Sequence, residues 1–203
     1  MPTLFWSPQS RAERMFWLLE EVGQPYDLVH VDIRAQARTT DPRFAEASPL
    51  GKVPALADGP VRIADSGAIA LYLADRYAPA LAPAPDAPER GAYLYWMFFS
   101  ASALEPAITE KFVEMPPNPT SYPWGSFERM YDAVETRLTG RDWFAGDAFT
   151  MADAMMAGSV EIFETFRIAP LTDRMRAFVD RCHARPAFAR GQEKLAAAKA
   201  ALG

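Results

Sequence analysis

Four prolines stand within ten residues, at Pro79, Pro83, Pro85 and Pro88. No helix survives that density, because each ring fixes φ and removes a backbone donor. The segment 79–88 therefore reads as a stiff linker and a domain boundary. The two flanks carry different patterns. Before it, Thr3–Trp6 reads as a strand ended by Ser7-Pro8. Residues 10–22 read as a helix, with Met15, Leu18, Leu19 and Val22 on one face and Arg11, Glu13, Arg14, Glu20 and Glu21 on the rest. Residues 26–31 form a second strand, and a polar, moderately helical stretch runs to about Ala47. Two short strands, 55–57 and 61–63, meet at an Asp58-Gly59 turn, and 66–77 is a helix. This order, β-α-β-α-β-β-α, makes residues 1–78 a small α/β domain with a mixed sheet. Beyond the linker no strand pattern appears. Helices are expected over about 89–113, 124–139, 150–166, 170–184 and 186–200, with a loop at Pro116–Pro119, so residues 89–203 form an all-helical domain.

Half of the 203 residues are apolar, which excludes a disordered chain. A net charge of −5, with signs alternating along the sequence, argues against a nucleic-acid partner. The single cysteine, Cys182, forms no intramolecular disulfide and suits a reducing compartment. His30 and His183 lie far apart, so no metal-ligand spacing is present. Cys182 and His183 point apart as helix neighbours and read as scaffold rather than a dyad. The first residues lack the pattern of a signal peptide. The longest charge-free apolar stretch, 92–104, is too short to span a bilayer. A soluble cytoplasmic protein without a membrane partner is the expectation.

Two motifs carry chemistry. In the first, Ser48–Leu56, the residue before Pro54 is pushed into extended backbone, so Val53 offers its N–H and C=O outward. In the second, Asp65-Ser66 opens a helix whose orphan N–H groups and positive dipole end attract an anion. Taken alone, Asp65-Ser66 reads first as ordinary capping of that helix. Together the motifs describe a slot that pairs with a short extended peptide and holds its terminal carboxylate, a shape that suits glutathione. Hydroxyl–x–x–carboxylate spacing marks two candidate helix starts. Thr150–Asp153 reads as a capping box that serves folding alone. Ser10–Glu13 reads as another box, with Ser10 as the cap, and a hydroxyl beside a bound thiol is compatible with that role. The aromatic run Tyr93, Tyr95, Trp96, Phe98 and Phe99 covers too much of a helix to be all core, so part of it needs a neighbouring domain, a subunit or a ligand.

Taken together, these features resemble the cytosolic glutathione transferase family over essentially the whole chain. The resemblance implies a thioredoxin-like first domain, with Val53-Pro54 as a cis-proline bond, followed by an all-helical domain. It implies glutathione as co-substrate and no metal. Val53 would exchange backbone hydrogen bonds with the cysteinyl unit. Asp65 would face the γ-glutamyl ammonium, Ser66 its carboxylate, and Lys52 the glycyl carboxylate. The first tyrosine is Tyr26, with Trp6 near the place expected for a tyrosine, and no cysteine lies near the first helix. The resemblance is thus to serine-type members, theta-like or bacterial. Ser10 is the implied thiol-activating residue, with Ser7 and Arg11 as alternatives. Trp96, Phe99 and Met115 would line the pocket for a small apolar electrophile. The implied reaction is attack of the glutathione thiolate on that electrophile, a detoxification chemistry. Glutathione-dependent peroxide or disulfide reduction, and a non-catalytic binding scaffold, are the alternatives. A homodimer is implied as well.

A free thiol titrates near 8.5, so about 3% is thiolate at pH 7. Lowering that by about two units needs roughly 2.7 kcal/mol of preference for the anion. One hydrogen bond to a charged sulfur and a helix N-terminus can supply it, with serine as donor and never as base.

Overall fold

A computed structural model describes residues 1–35 and 41–203. The chain divides into two compact units, residues 1–78 with 185–203, and residues 79–184.

The first unit holds four strands: β1 (Thr3–Trp6), β2 (Asp27–His30), β3 (Ala55–Asp58) and β4 (Val61–Ala64). Its helices are α1 (Glu13–Val22), α2 (Pro42–Ala47), α3 (Ser66–Tyr77) and the last helix of the chain, which runs Pro186–Ala200. The sheet order is β2-β1-β3-β4. β1 runs parallel to β2 and antiparallel to β3, and β3 pairs antiparallel with β4. This is the mixed sheet of a thioredoxin-like fold. The polar stretch expected before Ala47 yields α2, capped by Asp41, whose carboxylate accepts the Arg43 N–H. The part of that stretch over 36–40 lies outside the described residues. Asp58 ends β3 buried and accepts the hydroxyls of Tyr72 and Tyr77, which ties the sheet to α3. Burial and the Asp58 carboxylate together push Tyr72 up to about 12.

The final helix was expected in the all-helical domain and packs instead on α1. Gly191 explains how closely: a Cβ there would stand 2.7 Å from Trp17 Cα, so only glycine lets the two backbones meet. The charged side of α1 finds its partners on this helix. Arg185 forks onto Glu21 at 2.7 and 2.8 Å, and Glu21 also accepts the Trp17 indole N–H. Lys194, Arg190 and the Tyr26 hydroxyl converge on Glu20. Burial pushes the Glu20 carboxyl up, but those donors outweigh it and hold it below the usual range.

The second unit is helical: α4 (Arg90–Phe99), α5 (Glu105–Phe112), α6 (Phe127–Arg137), α7 (Met151–Val160), α8 (Ile162–Thr165) and α9 (Asp173–His183). The helix of the first unit just described is α10. A single helix was expected over 89–113. It is interrupted by a π-helical stretch, Ser100–Leu104, in which the Glu105 N–H reaches back to the Ser100 carbonyl. Pro106 supplies the reason, because it has no N–H for the Ser102 carbonyl. Trp96, Phe144 and Phe178 stack edge-on through the core at 4.7 and 4.9 Å. Asp153 is fully buried at the start of α7. It accepts the Phe144 N–H at 2.6 Å, and the Thr150 N–H and hydroxyl at 2.8 Å each. Among the described residues no helix is long and apolar enough to cross a membrane.

Candidate functional site

The register of the sheet gathers the sequence motifs of the first unit. Phe5 faces Ala55, and Ala55 faces Ala64. The ends that follow β1 and β4 therefore lie beside the start of β3. That places the Ser7–Ser10 turn, Val53-Pro54 and Asp65-Ser66 along one edge. The Val31 N–H bonds to the Trp6 carbonyl at 2.8 Å and brings the segment after β2 to the same edge.

Val53-Pro54 is a cis peptide. The Val53 side chain packs on a core of Phe5, Val31, Phe44, Ala47, Ala55 and Ala57. Ser48, which the sequence reading did not single out, shapes the approach. Its buried hydroxyl accepts the Lys52 N–H at 2.9 Å and donates to the Lys52 carbonyl at 2.8 Å. Gly51, at φ 61°, completes that turn with its N–H on the Ser48 carbonyl. A serine followed by Pro-x-Gly was the available signal. Lys52 is exposed.

Asp65 adopts φ 78°, a left-handed conformation that costs a non-glycine residue roughly 1–3 kcal/mol and collects at functional sites. Its Oδ1 accepts the N–H groups of Gly67 and Ala68 at 2.9 and 3.3 Å. The capping role is therefore real. It leaves Oδ2 out of both bonds, and leaves the Ser66 N–H and hydroxyl as first-turn donors that Asp65 does not take. Ser66 is buried and Asp65 exposed.

The turn after β1 differs from the expected capping box. α1 begins at Glu13 rather than Ser10. The Ser10 hydroxyl donates to the Ser7 carbonyl at 2.7 Å and accepts the Ala12 N–H at 3.2 Å. Glu13 reaches past Ser10 and accepts the Gln9 N–H at 2.7 Å. Gln9 is the second non-glycine residue of this edge with positive φ, at 55°, and nothing in its sequence context signals that. Its side-chain oxygen accepts a bond from Arg34 at 3.2 Å. Ser7 is buried and Arg11 exposed. Tyr26 is raised in pKa by burial, then by Glu20, whose carboxylate accepts its hydroxyl.

In the second unit, a cavity of about 530 Å³ opens between α4, the π-helical stretch, Pro123-Trp124 and α6. Phe99 lines it, together with Tyr95, Phe98 and Trp124. Trp96 and Met115 do not. Trp96 turns into the core against Phe99 and Phe144, and the Met115 backbone is tied to the Glu110 carbonyl. Cys182 is fully buried and His183 is half-buried in α9, with burial lowering the histidine pKa. Among the described residues no three His, Cys, Asp or Glu side chains gather as metal ligands.

Residues 2–75 match the family model for the glutathione S-transferase N-terminal domain, and residues 126–186 that for its C-terminal domain. The chain is 31% identical to glutathione S-transferase 3 of Schizosaccharomyces pombe over 72% of its own length and 68% of the relative's. It is 29% identical to the disulfide-bond oxidoreductase YfcG of Escherichia coli, covering 75% and 76% of the two chains. A sphingomonad glutathione S-transferase, solved in complex with glutathione, superposes with a TM-score of 0.73 at 26% identity, over 96% of this chain and 98% of that one. With that sheet edge, those matched domains and these relatives, the chain belongs to the glutathione transferase family.

Proposed function

We propose that this protein binds glutathione along the sheet edge of its first unit and presents the thiolate to a small apolar electrophile. The observation that carries this reading is the convergence of the Ser7–Ser10 turn, Val53-Pro54 and Asp65-Ser66 on one edge, with strained backbone at Gln9 and Asp65. The Val53 backbone pairs with the cysteinyl unit as an added strand. The γ-glutamyl ammonium meets Asp65 Oδ2, and its carboxylate meets the Ser66 N–H and hydroxyl at the positive end of α3. Lys52 takes the glycyl carboxylate.

Ser10 then turns its hydroxyl proton from the Ser7 carbonyl to the sulfur and retains the Ala12 N–H as its own donor. One such bond to an anion is worth about 1.5–3 kcal/mol, the scale that thiolate formation at neutral pH demands. Phe99 and the aromatic walls around it offer apolar surface for the electrophile.

The test is a set of measurements on the purified protein. Retention on immobilised glutathione, an ultraviolet thiolate band at neutral pH and conjugation of a chloronitrobenzene are expected. Absence of glutathione binding by calorimetry overturns the proposal and leaves a scaffold role. A second reading, glutathione-dependent disulfide reduction, is favoured by the similarity to a disulfide-bond oxidoreductase. Turnover of hydroxyethyl disulfide exceeding conjugation would select it.

A further inference from the structure

The turn that carries Ser10 is not held by its own residues alone. Gln9 sits in a left-handed conformation that a side chain disfavours, and its N–H needs an acceptor to stay there. That acceptor is Glu13, at 2.7 Å, on the first turn of α1. Glu13 is itself held from the far end of the chain. Lys199, in the last turn of α10, places its ammonium 2.7 Å from the same Oε1. Both members of the pair are partly exposed, so the pair reaches solvent at one side and the turn at the other. Close packing of α10 on α1 at Gly191 and Trp17, with Arg185 on Glu21 and Lys194 on Glu20, fixes the register that lets Lys199 meet Glu13.

We infer that Glu13 is a positioning residue for the thiol-activating serine and that Lys199, from the C-terminal helix, sets its orientation and masks its charge. The inference rests on the glutathione-binding reading above. Two effects act with one sign. A carboxylate that swings away releases the Gln9 N–H and loosens the turn. A carboxylate left without its cation adds a negative charge near the thiolate. Either change raises the thiol pKa. The C-terminal helix therefore belongs functionally to the site of the first unit.

The experiment reads the pH titration of the thiolate band of bound glutathione, together with kcat and KM, on the full chain. Glu13→Ala is expected to raise the apparent thiol pKa and lower kcat about tenfold, the scale of one charge-assisted bond, with a smaller change in KM. Glu13→Gln keeps an acceptor for Gln9 and removes the charge, so it restores kcat to within about threefold of the parent. Lys199→Met sits on the surface and keeps the fold even where Glu13→Ala does not. It should raise the thiol pKa by more in the parent than in the Glu13→Gln background, since loss of the ammonium's own charge is common to both and only the parent loses the hold on a carboxylate. An unaltered thiol pKa in Lys199→Met, or an equal shift in both backgrounds, overturns the inference. Failure of the parent protein to show any thiolate band fails the binding reading instead, so the two outcomes are separate.

Discussion

The hydroxyl–x–x–carboxylate pairs at Ser10–Glu13 and at Thr150–Asp153 share one spacing and fold differently. In the second unit the box closes on itself. Asp153 accepts the Thr150 N–H and hydroxyl, adds the Phe144 N–H, and disappears from solvent. In the first unit the box stays open. Glu13 passes over Ser10 to the Gln9 N–H, and the Ser10 hydroxyl turns to the Ser7 carbonyl. The difference lies in what precedes each box. Buried Phe149 leads directly into buried Thr150, whereas Pro8 and left-handed Gln9 throw the chain into a tight turn before Ser10. One copy is fully committed to folding. The other keeps a hydroxyl that can change partners.

The largest effect should come from breaking the closed copy. Asp153→Ala strands the buried Phe144 and Thr150 N–H groups and should destabilise the protein by about 3 kcal/mol, read from urea unfolding. The same carboxyl gives a pH signature. Burial pushes Asp153 up to about 6, above the roughly 3.9 of an exposed aspartate. Between those values the folded state holds a proton that the unfolded state has released. Its contribution to stability is therefore full below about pH 4 and falls as the pH rises through about 6. Asp153→Asn should flatten that slope, and an unchanged slope would show that another group titrates there.

The open copy should respond in function rather than in stability. Ser10→Ala is expected to cut kcat/KM about 100-fold, or about 2.7 kcal/mol, while unfolding shifts by less than about 0.5 kcal/mol. Equal losses of stability in Ser10→Ala and Asp153→Ala would erase the contrast. The smallest change sharpens it. Thr150→Val removes one donor to Asp153 and one capping side chain but leaves the Thr150 N–H, at an expected cost of about 1 kcal/mol with glutathione turnover unaltered.

Much of the fold was legible because its periodicities are local. Thr3–Trp6, the start of β3 at Ala55, and α3 at Ser66–Tyr77 follow from alternation, a proline and a cap. The break in the 89–113 helix was hidden, because a proline such as Pro106 can open a first turn, end a helix or be absorbed by a π-helical stretch before it. On the candidate site, Val53, Pro54, Asp65 and Ser66 could be named from their motifs. Gln9 and the Glu13–Lys199 pair could not, since each matters through a bond that the residue type alone does not announce.

Local chemistry in the sequence was enough for the change of architecture at the linker, the strand and helix order, and the motifs that resemble the family, because propensity, proline geometry and capping act over a few residues. Tertiary structure alone decided that α10 returns to α1, that one hydroxyl–carboxylate pair closes while its twin stays open, and that Trp96 faces core while Phe99 faces a cavity. Those outcomes depend on which backbones approach closely enough to share donors and exclude water. That is a property of residues far apart in sequence, such as Lys199 and Glu13, and it exists only once the chain has folded.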